Sequence, residues 1–206
     1  MKRLTKFSLV LMLLVASVAV TKAQSKGEFG YGLKIGAVYS NFANSDYSGR
    51  YGWTAGAFGE YALTDKMGFS VELLYSEQGG RIEEGLSINA DSDPYYTREH
   101  KLSYIQVPVM YRFNIWKGLN LKAGVQTGYL VKEKEIYKRY DKEERPDIED
   151  SPYATIDLSI PLAVSYSVSS RIAFEYRYNL GIRTINDGCN PEYKNRWMNL
   201  SMFFKF

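Results

Sequence analysis

The stretch Ile156-Asp157-Leu158-Ser159-Ile160-Pro161-Leu162-Ala163-Val164-Ser165-Tyr166 decides the fold. Every even-numbered residue is large and apolar or aromatic, and every odd-numbered one is small, polar or proline. That is a period of two, the alternation of an extended strand with one apolar face. Seven more segments of similar length read the same way. Phe29 to Tyr39, Trp53 to Leu63 and Met67 to Ser76 come first. Leu102 to Phe113, Leu119 to Val131, Arg171 to Leu180 and Met198 to Phe206 complete the set. About ten residues is the length a tilted strand needs to cross the hydrocarbon core of a bilayer. Eight such segments predict an all-β chain: an eight-stranded antiparallel up-and-down transmembrane β-barrel.

The opposite parity carries the charges. Lys34, Glu60, Glu72, Arg112, Lys122, Asp157, Glu175, Arg177 and Lys205 share it with many Gly and Ser residues. A soluble eight-stranded barrel of the lipocalin type would turn its apolar face inward and its charges to water. The glycines argue for the reverse, because a narrow interior needs them and a solvated exterior does not. Phe29 with Tyr39, Trp53 with Tyr61 and Phe69 with Tyr75 sit near the ends of their apolar stripes, as two interfacial girdles would require. The connections alternate as well. Thr64 to Lys66, Asn114 to Gly118 and Ser167 to Ser170 are short turns, and those after the first, third, fifth and seventh segments are long, the pattern of periplasmic turns and outer loops. Pro108 lies inside the fourth segment, where a missing donor predicts a local bulge.

The first residues stand apart. Met1, Lys2, Arg3 and Lys6 precede a run from Phe7 to Val20 broken only by Ser8 and Ser17, and Thr21-Lys22-Ala23 supplies a small-residue cleavage site. This is the layout of a secretory signal peptide, and the apolar run is too short to span a membrane. The expected division is therefore a cleaved signal over 1–23 and a barrel domain over 24–206, beginning at Gln24. Removing Lys2, Arg3, Lys6 and Lys22 takes the formal charge from +3 to −1, so the basic excess belongs to the leader. A nucleic-acid partner, which needs a basic stripe for phosphates, is not expected. Cys189 is the sole cysteine, which excludes an internal disulfide.

Catalytic and metal constellations are sparse. His100 is the only histidine, placed by the segment boundaries at the end of the second long loop with Glu99 and Ser103 near it, and reads as a solvated loop residue. Asp91, Asp93 and Glu99 form no recognisable calcium loop. The loop from Lys132 to Asp150 mixes six basic with eight acidic residues and reads as self-compensating. No enzyme, cofactor or metal site is expected. What remains is the inward charge set, Lys34, Glu60, Glu72, Arg112, Lys122, Glu175, Arg177 and Lys205. In a lumen just filled by side chains these must pair with one another. The expected arrangement has Lys34, Glu72, Lys122 and Glu175 in one layer and Arg112 with Lys205 closing on Glu60 nearer the periplasmic mouth. The alternative uses of such a chain are a narrow pore or small-ligand transporter and, behind it, an envelope hydrolase or acyltransferase.

Several stretches carry a family resemblance. Glu72-Leu-Leu-Tyr-Ser-Glu-Gln-Gly-Gly80, Tyr104-Ile-Gln-Val-Pro-Val-Met-Tyr-Arg-Phe113, Gly124-Val-Gln-Thr-Gly-Tyr-Leu130 and Arg177-Tyr-Asn-Leu-Gly181 resemble the PorT-like small outer-membrane β-barrels of Bacteroidetes. Phe204-Lys205-Phe206 is similar to the terminal aromatic signal by which such barrels are handed to their insertion machinery. The resemblance implies residence in the cell outer membrane, with the lipid bilayer, lipopolysaccharide and the insertion machinery as partners. A protein or glycan partner at the long outer loops is expected as well. It implies no shared catalytic residues.

Overall fold

The computed structural model describes residues 27–43, 48–84, 96–139, 142–144, 153–185 and 193–206. Its strands are β1 (Phe29–Ala43), β2 (Ser48–Ala62), β3 (Met67–Glu84), β4 (Tyr96–Trp116), β5 (Leu119–Arg139), β6 (Lys142–Glu144), β7 (Ile156–Ser167), β8 (Ile172–Thr184) and β9 (Lys194–Lys205). Hydrogen bonding runs β4-β3-β2-β1-β9-β8-β7-β5, and a further β4–β5 pairing closes the ring. All pairings are antiparallel. Eight strands thus form one closed wall without a lateral edge, and β6 is a three-residue addition to the end of β5. The signal-peptide reading, Gln24, Asp91, Asp93 and Cys189 lie outside the described residues.

The two faces are sorted by parity. Leu33, Ile35, Leu73, Val125, Leu162 and Leu200 are among the exposed large apolar residues, and Lys34, Glu72, Gln126, Ser159 and Ser201 are buried in the interior. Apolar outside and polar inside is the arrangement of a barrel solvated by lipid, the inverse of a lipocalin. Aromatics border the apolar band: Phe29, Tyr61, Phe69, Trp116, Tyr166, Phe174 and Phe206 toward the end with the turns and chain ends, Tyr51, Trp53 and Tyr129 toward the other. A Cβ on Gly32 would lie 2.0 Å from the backbone carbonyl oxygen of Phe204 and 2.9 Å from the ring of Phe58, so this position accepts only glycine.

The three short turns are built by local chemistry. The Thr64 hydroxyl accepts the backbone N–H of Met67 at 3.0 Å, and the Ser169 hydroxyl accepts that of Ile172 at the same distance. Lys117 and Gly118 have φ of 25° and 88°, the positive pair that a two-residue hairpin turn demands, so the second turn is tighter than Asn114 to Gly118.

The opposite end departs from expectation. β1 and β2 run on until only residues 44–47 separate them, and β3, β4 and β5 continue to Glu84, from Tyr96 and to Arg139. Much of what reads as the first three long loops is therefore strand, projecting beyond the wall formed by β7, β8 and β9. Pro108 causes no bulge: its register with Gln126 is continuous, and pairing with β3 only lapses between Val71 and Leu74. A proline missing its donor interrupts one side of the ladder without shifting it. Between β4 and β5 the register shifts instead at Ser103/Tyr104, opposite Leu130 to Lys132, and again at Asn114/Trp116 beside the turn.

Candidate functional site: the sealed lumen

The inward charges meet across the barrel. Lys34 Nζ donates to Glu72 at 3.0 Å and to Glu175 at 2.8 Å. Arg177 donates to Glu72 at 2.6 Å and through Nε to Glu175 at 2.9 Å. Lys122 reaches Glu175 at 3.1 Å and Glu60 at 3.0 Å. Glu60 also holds Lys205 at 3.0 Å and Arg112 at 3.8 Å. All eight residues of the expected set therefore lie in one connected cluster, with Lys122 joining the upper group to the lower. Lys34, Glu72 and Glu175 have fully buried side chains, and only Lys205, nearest the mouth, shows 22% exposure.

Strand register explains why the cluster holds. Arg112 and Lys122 stand directly opposite each other on β4 and β5, a like-charge pair that would repel on its own. Glu60 reaches them from β2, two strands from β4 around the ring, and compensates both. Phe203 fills the space between: Lys34 Nζ and Lys122 Nζ lie 4.5 and 4.7 Å from its ring centroid, and Phe58 packs edge-on against it at 4.8 Å. Two ammonium groups held over the same aromatic ring add electrostatic attraction to the ion pairs.

Further toward the loop end the lumen changes character. Asp157 stands apart from the cluster, accepting a hydrogen bond from Asn195 at 2.9 Å, and Asn195 also donates to the Tyr104 hydroxyl at 3.3 Å. Above it Phe42, Leu102, Tyr104, Tyr153 and Ile185 form an apolar collar. His100 belongs here and is not a solvated loop residue. It lies on β4, 3% exposed, with its ring edge-on to Tyr153 and its Nε2 3.4 Å from Glu135. The reading failed because β4 begins far earlier than its apolar alternation does.

A family model described as outer membrane protein beta-barrel domain matches residues 22–187. The chain belongs to this family. Neisserial surface protein A is a structural neighbour at 16% identity with a TM-score of 0.51, covering 85% of this chain and 97% of that one. The attachment invasion locus protein Ail of Yersinia pestis is another, at 14% identity and a TM-score of 0.45, covering 88% and 99%. The N-terminal β-barrel domain of Pseudomonas aeruginosa OprF is a third, at 12% identity and 0.37, covering 87% and 100%. A search of curated proteins finds no match.

As an outer membrane β-barrel, the protein resides in the outer membrane. Phe204 and Phe206 lie on the outward face of the last strand, and their rings pack edge-on at 5.6 Å. Three lumen residues carry structure that no inward-charge argument singled out. Phe203 is the ring on which the lysines sit, Trp197 is buried to 2% exposure, and Arg50 donates to Glu99 at 2.6 Å and to Glu77 at 3.4 Å. Parity alone put Phe203 inward; Trp197 and Arg50 fall in stretches that lack apolar alternation.

Proposed function

We propose that residues 1–23 export this chain and are removed before Gln24, and that residues 24–206 form a sealed, non-catalytic barrel. In this reading the barrel anchors the projecting ends of β3, β4 and β5 at the cell surface, where they engage a protein or glycan partner in envelope structure, secretion or binding. The observation that carries it is the charge cluster from Glu60 to Arg177. Its carboxylates pair with lysines and arginines across the lumen, and Phe58 and Phe203 occupy the space between. Such an interior is a plug, since ions would have to displace several buried pairs to pass. The acids are committed to neighbouring bases and present no activated nucleophile.

The resemblance to PorT-like barrels supports a place among the small barrels of Bacteroidetes. Lipopolysaccharide and the bilayer surround the wall, and Phe204 and Phe206 serve as the signal to the insertion machinery. No nucleic acid, metal or cofactor enters this account.

Surface display is tested by cysteine labelling in a Cys189→Ser background. Thr97→Cys, on the projecting part of β4, should react with a membrane-impermeant maleimide on intact cells. Asp65→Cys, in the first turn, should react only after the outer membrane is disrupted. The opposite pattern would invert the barrel and end the surface-display reading.

A further inference from the structure

One feature of the outer wall is unused by the sealed lumen. The row Tyr75, Ile105 and Tyr129 ends the apolar band on β3, β4 and β5. Two residues on, about 7 Å higher at the rise of a strand, Ser103 pairs with Lys132, and beyond it Lys101 stands directly opposite Lys134. These side chains line a cavity of about 160 Å³ together with Tyr75, Glu77 and Ile136.

The bulge creates this grouping. Below it, even-numbered residues of β5 such as Lys122 and Gln126 point into the lumen. Tyr104 pairs with Leu130 and Ser103 with Lys132, so Val131 is an extra residue and the parity of β5 inverts. Lys132 and Lys134 are thereby turned outward and are exposed, and Glu135 is turned inward, where it meets Arg98 and His100. Without the extra residue the lysines would face the lumen and the glutamates the outer wall.

Compensation of the three ammonium groups is incomplete, and it fails at Lys132 and Lys134. Like charges directly opposite each other destabilise a sheet. Lys101 has only Glu99, at 3.9 Å, and that carboxylate is already held by Arg50 at 2.6 Å. Glu77 is likewise engaged by Arg50 at 3.4 Å. Lys132 and Lys134 have no ion-pair partner among the described residues. An anion seated between them would remove the repulsion. At this height, with lipid below and an aromatic ring at the boundary, the anion at hand is one carried by a lipid headgroup.

From this we infer that the cleft formed by Lys101, Lys132 and Lys134 seats a phosphate of the phosphorylated glycolipid in the outer leaflet, with Tyr75 against the start of its acyl chains. The inference rests on the surface orientation proposed above. The test uses the purified full-length protein and fluorescently labelled lipid A as the probe, read by titration in detergent. The triple variant K101Q/K132Q/K134Q should bind lipid A bearing its phosphates at least tenfold more weakly than the wild type. Single K132Q should show a loss of about threefold and guards against a triple variant that does not fold. Lipid A stripped of phosphate should bind wild type and triple variant alike, and the turn-end control K66Q/K117Q should bind as the wild type does.

Retention of wild-type affinity by the folded variants would overturn the site. So would equal loss in the turn-end control. Phosphatidylglycerol binding as tightly as lipid A would reduce the cleft to a general anionic contact and overturn the assignment to the glycolipid. Because detergent titration has no sidedness, a negative result here is distinct from an inverted labelling pattern on cells.

Discussion

Glu60→Gln is the perturbation to which the lumen should respond most. The ion pairs of the cluster join five bases, Lys34, Arg112, Lys122, Arg177 and Lys205, to three acids, Glu60, Glu72 and Glu175. The cluster is thus already positive by two. Among the described residues Glu60 is the one acid within ion-pair distance of Arg112 and of Lys205, and it shares Lys122 with Glu175. Neutralising it strands Arg112, 9% exposed, directly opposite Lys122 on the next strand. Orphaning a buried charge costs about 3–5 kcal/mol.

Lys122→Met makes the control. It leaves Glu60 with Lys205 and Arg112, and Glu175 with Lys34 and Arg177, so no acid is orphaned and a repulsive neighbour is lost. Its cost should stay under about 2 kcal/mol, since the lost bonds are replaced by pairs that remain. Reversible urea unfolding in lipid vesicles, followed by tryptophan fluorescence, measures both. Equal costs, or a Glu60→Gln variant within about 1 kcal/mol of wild type, would refute the pairing logic, because the two substitutions differ chiefly in what they leave unpaired.

Other outcomes follow from the same structure. Leu73→Arg and Leu162→Arg, both exposed on the outer wall, should each cost about 2–4 kcal/mol near the bilayer midplane, while Ser159→Ala on the inner wall should be milder; three equal values in the same unfolding assay would contradict the parity. Intact mass of the protein purified from native outer membranes should correspond to a chain starting at Gln24, and a species retaining residues 1–23 would contradict signal removal. Phe203→Ala removes the ring shared by Lys34 and Lys122 and should cost about 3–5 kcal/mol as a buried aromatic truncation, a loss seen by the same titration.

The wall of the barrel was legible because lipid on one side and a narrow polar lumen on the other impose a period of two wherever a strand crosses the bilayer. Ile156 to Tyr166 shows that alternation from end to end, and the structure sorts its residues accordingly. The inward charges were legible for the same reason. Beyond the bilayer the constraint lapses, and with it the signal. Lys132 to Arg139 and Tyr96 to Lys101 are strands with charged residues at both parities, so they read as loop. His100, Arg50 and Trp197 were lost or misplaced with those segments.

The bulge was misplaced because proline is visible in sequence and an extra residue at Val131 is not. A bulge is defined by register against the partner strand, which only the paired structure supplies. Phe203 was placed inward by parity, yet its role depends on Phe58, Lys34 and Lys122 arriving from other strands at the same depth. Strand tilt and shear set that coincidence, and neither is written in one segment.

Single-channel recording in planar bilayers tests the sealed lumen most directly. The wild-type barrel should insert and remain electrically silent across the usual voltage range, because Lys34, Glu72, Lys122, Glu175 and Arg177 close the bore around Phe203. A steady, ohmic conductance from the folded wild-type protein would contradict the plug and establish a narrow pore in its place.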